Sequence, residues 1–175
     1  SFLAIVRTAR IIGLPLWALH LHIPTGTAVL FIGIAASLGL VLFYTSGQVM
    51  DKWGRRAAAV PTMFLLGITM FLLPLTSDAW GILWIGLAMS IANGLGSGLI
   101  MVIGADLAPA DARGEFLAAF RLMIDGSVSI TAPVLSLAAV TVGLGFGFVF
   151  FGLLSISGAW LMWKHIPTFI QKPTK

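Results

Sequence analysis

The sequence predicts an all-α integral membrane protein, a bundle of six transmembrane helices, on three observations. Hydrophobic residues make up 59% of the chain and charged residues 9%, with a mean hydropathy of +1.05, whereas a soluble domain carries roughly a quarter charged residues. Uncharged runs are long enough to cross a bilayer, which takes about 20 mainly apolar residues. Ile11 to Met50 carries no formal charge over forty residues, 57–77 none over twenty-one, 79–105 none over twenty-seven and 126–163 none over thirty-eight. The only other structure that satisfies its backbone in lipid is a closed barrel of alternating strands about ten residues long, and runs such as "MFLLGITMFLL" do not alternate.

Turn signals cut the runs into elements. The first span, 2–21, ends at "HIPTGT", where Pro24 and Gly26 break it. The second, 26–46, ends in the charged decapeptide "GQVMDKWGRR" of Gly47 to Arg56, and the third, 57–76, in "TSDAW" around Asp78. The fourth, 80–104, runs into "GADLAPADARGEF". The fifth, 116–138, and the sixth, 142–163, are separated by "TVGLG", and 164–175 is a tail. Residues 1–163 thus read as one bundle. Trp53, Trp80, Trp84, Trp160 and Trp163 lie near span ends, where indole rings anchor at the membrane interface.

Charge sets the expected orientation. Lys52, Arg55, Arg56, Arg113, Lys164, Lys172 and Lys175 all fall on one side of a six-span chain, and the first, third and fifth connections contain no Lys or Arg. The positive-inside rule places that side, with both ends of the segment, in the cytoplasm of a plasma or inner membrane. The net charge of +4 is thereby explained by topology, and the scattered basic residues do not suggest nucleic acid. The absence of cysteine excludes disulfides and thiolate metal sites; no metal, cofactor or catalytic residue is expected. The N-terminus does not read as a signal peptide.

The decapeptide fits G-x-x-x-D-[RK]-x-G-R-[RK], and in this it resembles the connection between the second and third helices of a six-helix repeat in the major facilitator superfamily of secondary transporters. "GADLAPADARGEF" is similar to that repeat's connection between its fourth and fifth helices, with an acid closing one helix and a Pro-x-x-x-Arg-Gly turn before the next. The resemblance implies half of a twelve-helix facilitator fold. It also implies a conformational gate built from Gly47, Asp51, Lys52, Gly54, Arg55, Arg56, Asp106 and Arg113. Asp51 and Asp106 each close a helix, where the dipole's negative end disfavours a carboxylate. Asp51 would find its partner in the opposite half and Asp106 in Arg55, a latch worth about 1–3 kcal/mol. Gly47 would allow close helix approach and Gly54 a tight turn. The plainer alternative is that the basic residues only set topology and meet lipid phosphates.

Charged residues inside the bilayer cost at least about 2.5–3.5 kcal/mol at a helix centre and are read as functional by default. Arg7 and Arg10 lie in the first span. They either snorkel to the cytoplasmic face or, in a longer chain, lie deeper, where an arginine lining a central cavity suits an anionic group. Arg121 and Asp125, one turn apart on the fifth span, form a self-neutralising pair, or Asp125 titrates or touches substrate while Arg121 alternates partners. Asn93 is a further pathway candidate. Gly94 and Gly98 have the spacing that lets helices pack closely. Ala132 stands where some facilitator antiporters carry Gly before a proline such as Pro133, so this half gives no sign of antiport. His20 and His22 read as interfacial.

The function expected is secondary active transport of a small solute by alternating access, with proton-coupled efflux of a hydrophobic or drug-like compound as the form favoured by the Phe-rich spans. The partners expected are that solute, membrane lipid, and an N-terminal six-helix half in the same native chain, this segment being the C-terminal half. A non-transporting accessory or receptor-like module is the second reading. An intramembrane serine protease built on Ser97 ranks last, since no later histidine but His165 could serve as base.

Overall fold

The computed structural model describes residues 2–53, 55–96 and 98–165, with backbone alone for Thr45, Val49, Asp51, Trp53, Arg55, Asp106, Ala110 and His165. Seven α-helices form among them: α1 (Phe2–His20), α2 (Thr25–Trp53), α3 (Arg55–Leu72), α4 (Ala79–Leu95), α5 (Leu99–Leu107), α6 (Arg113–Thr141) and α7 (Leu144–His165). Six stretches are long and apolar enough to cross a membrane, with α4 and α5 together making the fourth, Ala79–Ala105. This is a six-helix membrane bundle.

Helix boundaries follow local chemistry. Pro24 precedes α2 and accepts from Ala28 N through its carbonyl, and α2 stays helical through the decapeptide to Trp53, beyond the expected end at 46. α5 stops where Pro109 forces the preceding Ala108 to an extended conformation (φ −71°, ψ 119°). A 3-10 turn, Ala110–Ala112, then leads into α6. α6 passes through Pro133 without a break.

Two pairs of helices pack most closely, α2 with α4 and α3 with α7. Between α3 and α7 the buried Ser155 hydroxyl donates to Met63 O at 2.6 Å. Against α2, a Cβ on Gly94 would lie 2.7 Å from Leu42 Cβ and 3.0 Å from Gly39 O, so this contact needs glycine. The buried core runs through Val6, Met63, Leu66, Met70, Met89, Leu99, Leu135, Phe148 and Phe151. Near the end of the bundle away from the charged connections, Trp17 Nε1 donates to Thr76 Oγ at 2.8 Å.

The fourth span is not continuous as expected. α4 ends at Leu95, Gly96 N turns back to Ala92 O and Gly94 O, and Gly98 takes a left-handed conformation (φ 77°, ψ −18°) before α5 begins. That region costs a residue with a Cβ about 1–2 kcal/mol. The expected packing pair is therefore half right: Gly94 packs, whereas Gly98 breaks the helix. Gly47, expected in the connection after the second span, lies within α2. It is exposed, and a Cβ there would meet nothing within 4 Å, so it allows no close approach to a described helix of this chain.

Gly94→Val should destabilise the bundle by about 1–3 kcal/mol through overpacking, seen as a lower thermal midpoint in detergent. Gly33→Ala, inside α2 at a position open to 4 Å, should hold the midpoint or raise it slightly, alanine being the better helix former. Equal behaviour of the two variants would contradict this packing.

Candidate functional site

A cavity of about 670 Å³ opens between α1, α2, α5 and α6. Its described walls are mainly hydrocarbon, from Phe43, Met101, Leu117, Phe120 and Ile124 among others, and the polar side chains among the described lining residues are Arg7, Thr8, Arg121 and Asp125. Three of the five residues expected on a substrate or proton pathway therefore share one space. The helices meet there because glycine thins the wall: a Cβ on Gly104 would lie 2.7 Å from Phe120 Cε1.

Arg7 reaches α4, where Nη2 donates to Asn93 O at 3.0 Å, and Arg10 does the same one turn on, Nη1 to Met89 O at 3.1 Å. These contacts fix their depth. Met89 is ten residues into α4, or about 15 Å along it at 1.5 Å per residue, halfway across a hydrocarbon core of about 30 Å. Asn93 lies about 6 Å closer to the charged end. Both arginines dock on α4 and do not extend toward the span's end. Neither meets a carboxylate among the described residues, and the buried Arg7 Nε has no hydrogen-bond partner. Asn93 enters through its carbonyl and is absent from the cavity wall.

On α6, Arg121 Nε and Asp125 Oδ2 pair at 3.2 Å, with side chains 67% and 57% exposed. Thr8 Oγ is committed to Ala4 O. Positions along α1, α2 and α6 place the cavity in the half of the bundle that carries Lys52, Arg56 and Arg113, and Arg121 is eight residues into α6.

Gate candidates gather at that same end. Lys52 and Arg113 are exposed at the end of α2 and the start of α6, and the Arg56 guanidinium lies over Trp163, 5.3 Å from the ring centroid, a stacking that favours a cation. Asp51, Arg55 and Asp106 are helical in backbone, but their side chains, and Gly54 entirely, lie outside the described residues, as does Ser97. The expected Arg55–Asp106 latch therefore lies outside the described side chains. Sequence reasoning missed Phe43, Met101, Phe120 and Ile124, because an apolar residue beside a cavity and one beside lipid are chemically alike; the glycines at 96, 98 and 104 were the available signal. Among the described residues, no group of three or more His, Asp or Glu could hold a metal.

Residues 2–133 match the family model of the Major Facilitator Superfamily. The chain belongs to this superfamily. Among curated relatives, this facilitator chain is 37% identical over 79 residues to an uncharacterised MFS-type transporter of Pseudomonas aeruginosa strain UCBPP-PA14. It is 35% identical over the same length to another from strain LESB58. Each match covers 43% of this chain and 20% of the relative, so the facilitator chain spans only part of the length of its curated relatives. No solved structure matches it significantly.

The Arg121–Asp125 pair should contribute little to stability where water fills the cavity, since a solvated pair at this helical spacing is worth about 0.3–0.5 kcal/mol. Asp125→Asn should leave the thermal midpoint of the purified protein within a degree or two; a drop of about 10 °C would show that the pair is buried in the native assembly.

Proposed function

We propose that this chain is one six-helix half, the C-terminal one, of a secondary active transporter that moves a small hydrophobic solute by alternating access coupled to protons. The observation that carries the reading is the cavity: in a facilitator chain, two arginines and an aspartate from α1 and α6 face one space inside the membrane-spanning region, and charge at that depth is retained for function. Family membership and the printed names of the relatives support transport. The uneven burial of the helices supports a missing half. Only 11% of the residues in the membrane-crossing windows of α2 and α6 are buried, against 39–50% for the other four. Val29, Ile34, Val41, Leu122, Ile130 and Val140 are all more than half exposed on those two helices. A second six-helix bundle would cover part of that surface and close the cavity between the halves.

In this reading the end bearing Lys52, Arg56 and Arg113 faces the cytoplasm, Asp51 and the Arg55–Asp106 pair form the gate, and Asp125 takes and releases the coupling proton while Arg121 changes partner. Inverted vesicles containing the full-length protein, energised to an acidic interior, should show acridine-orange dequenching when hydrophobic compounds are added. Asp51→Asn should reduce that flux about five- to thirtyfold, the scale of a coupling of about 1–2 kcal/mol, with insertion and thermal midpoint preserved. Unchanged kinetics in that variant would remove the gate; compound binding without flux in the wild type would identify a receptor-like module instead.

A further inference from the structure

We propose that the cavity takes an amphipathic organic anion, its acidic group held at Arg7 and its apolar body lying along Phe43, Met101, Phe120 and Ile124. The inference names the substrate class of the site described above and rests on that reading.

Charge balance is the first support. Among the described residues two cations and one anion line the cavity; Arg121 and Asp125 neutralise each other at 3.2 Å, which leaves Arg7 without a described counter-charge. Arg10, one turn along α1, adds a second cation without a carboxylate partner among the described residues. The carbonyls of Asn93 and Met89 accept hydrogen bonds but carry no net charge, and a guanidinium remains charged at any physiological pH. A buried cation is strongly disfavoured until an anion reaches it.

Donor inventory is the second. A guanidinium offers five N–H donors in a fork matched to carboxylate, sulfonate and phosphate oxygens. Among the described residues Arg7 makes one hydrogen bond, through Nη2; its Nε is buried without an acceptor and out of a ligand's reach, which leaves the Nη1 side of the fork for an anion. Gly98, Ile100 and Met101 at the start of α5 line the same cavity, so the positive end of that helix dipole adds to the field at its wall. The rest of the lining defines the body of the ligand. Apart from the charged residues, the described lining offers one side-chain hydroxyl, Thr8, already bonded to Ala4 O. A polyhydroxylated neutral solute would leave its hydroxyls unpaired, a loss that disfavours it.

The test compares an acid with its neutral isostere on the full-length protein in phosphatidylcholine nanodiscs. 4-Phenylbutyrate should raise the thermal midpoint in a concentration-dependent manner, and 4-phenylbutanamide should need about tenfold more for the same shift, the scale of one charge-assisted hydrogen bond. Arg7→Gln should reduce the response to the acid to that of the amide, and Arg7→Lys should keep part of the difference. Equal responses to acid and amide, or an unaltered acid response in Arg7→Gln, would overturn the proposal. If Arg7→Gln does not fold, Met101→Cys gives a second readout, in a full-length protein with any cysteines outside this cysteine-free segment replaced. Maleimide labelling there should be slowed by the acid and not by the amide, and labelling indifferent to both counts against the anion site. Adding phosphatidylglycerol separates two sources of the same chemistry: loss of the acid's effect places a lipid headgroup at Arg7, and persistence places a soluble anion there. Acid binding without flux would leave this inference standing and defeat transport, whereas flux of neutral compounds without acid binding would do the reverse.

Discussion

Two guanidiniums docked on the carbonyls of a neighbouring helix are the constraint on which much of this bundle depends. Arg7 and Arg10 bind Asn93 O and Met89 O, acceptors four residues apart, one turn of α4. The match of one helical turn on α1 to one on α4 fixes the register of the two helices against each other. It also sets where the cavity can be, because the side of α1 facing α5 and α6 must leave room around Arg7. Charge inside hydrocarbon is costly unless it is hydrogen-bonded, and α4 supplies those bonds without supplying a counter-charge.

Around that axis the bundle divides unevenly. α3 and α7 bury each other, and α2 lies closely on α4, whereas α6 leaves most of its length bare. The residues with chemistry follow the same division. α3 and α7 hold the Ser155–Met63 bond and much of the aliphatic core, while the cavity draws on α1, α2, α5 and α6. α3 and α7 support the bundle, and the site is built on the two least buried spans, α2 and α6, together with α5 and the well-buried α1.

The fold class was legible because it depends on sums: uncharged length, turn residues and the one-sided distribution of Lys and Arg. The cavity charges were legible too, since Arg7, Arg121 and Asp125 are conspicuous in an apolar chain. Their arrangement was not. Nothing in the spacing of Arg7 and Arg10 revealed that they would meet α4 carbonyls, because the acceptors are backbone atoms available at every residue. Gly98 was misread for a related reason: the pattern that thins a helix for packing also permits a left-handed turn, and tertiary context decides between them. Gly47 lies inside a helix that the sequence reading ended at 46, since a cluster of charges and glycines resembles a loop when the extension of α2 is unseen.

The interruption at Gly98 divides one membrane crossing into two pieces with different neighbours. α4 is held by α2 and α3 and by the two arginines, whereas α5, nine residues and about 13 Å long, meets α3 and α6. A left-handed residue between them removes the continuous ladder of hydrogen bonds that would make the crossing a stiff rod. Rotation of the short piece can therefore be absorbed at a single joint, leaving the longer piece undisturbed, and one mouth of the bundle can change width while the other keeps its shape.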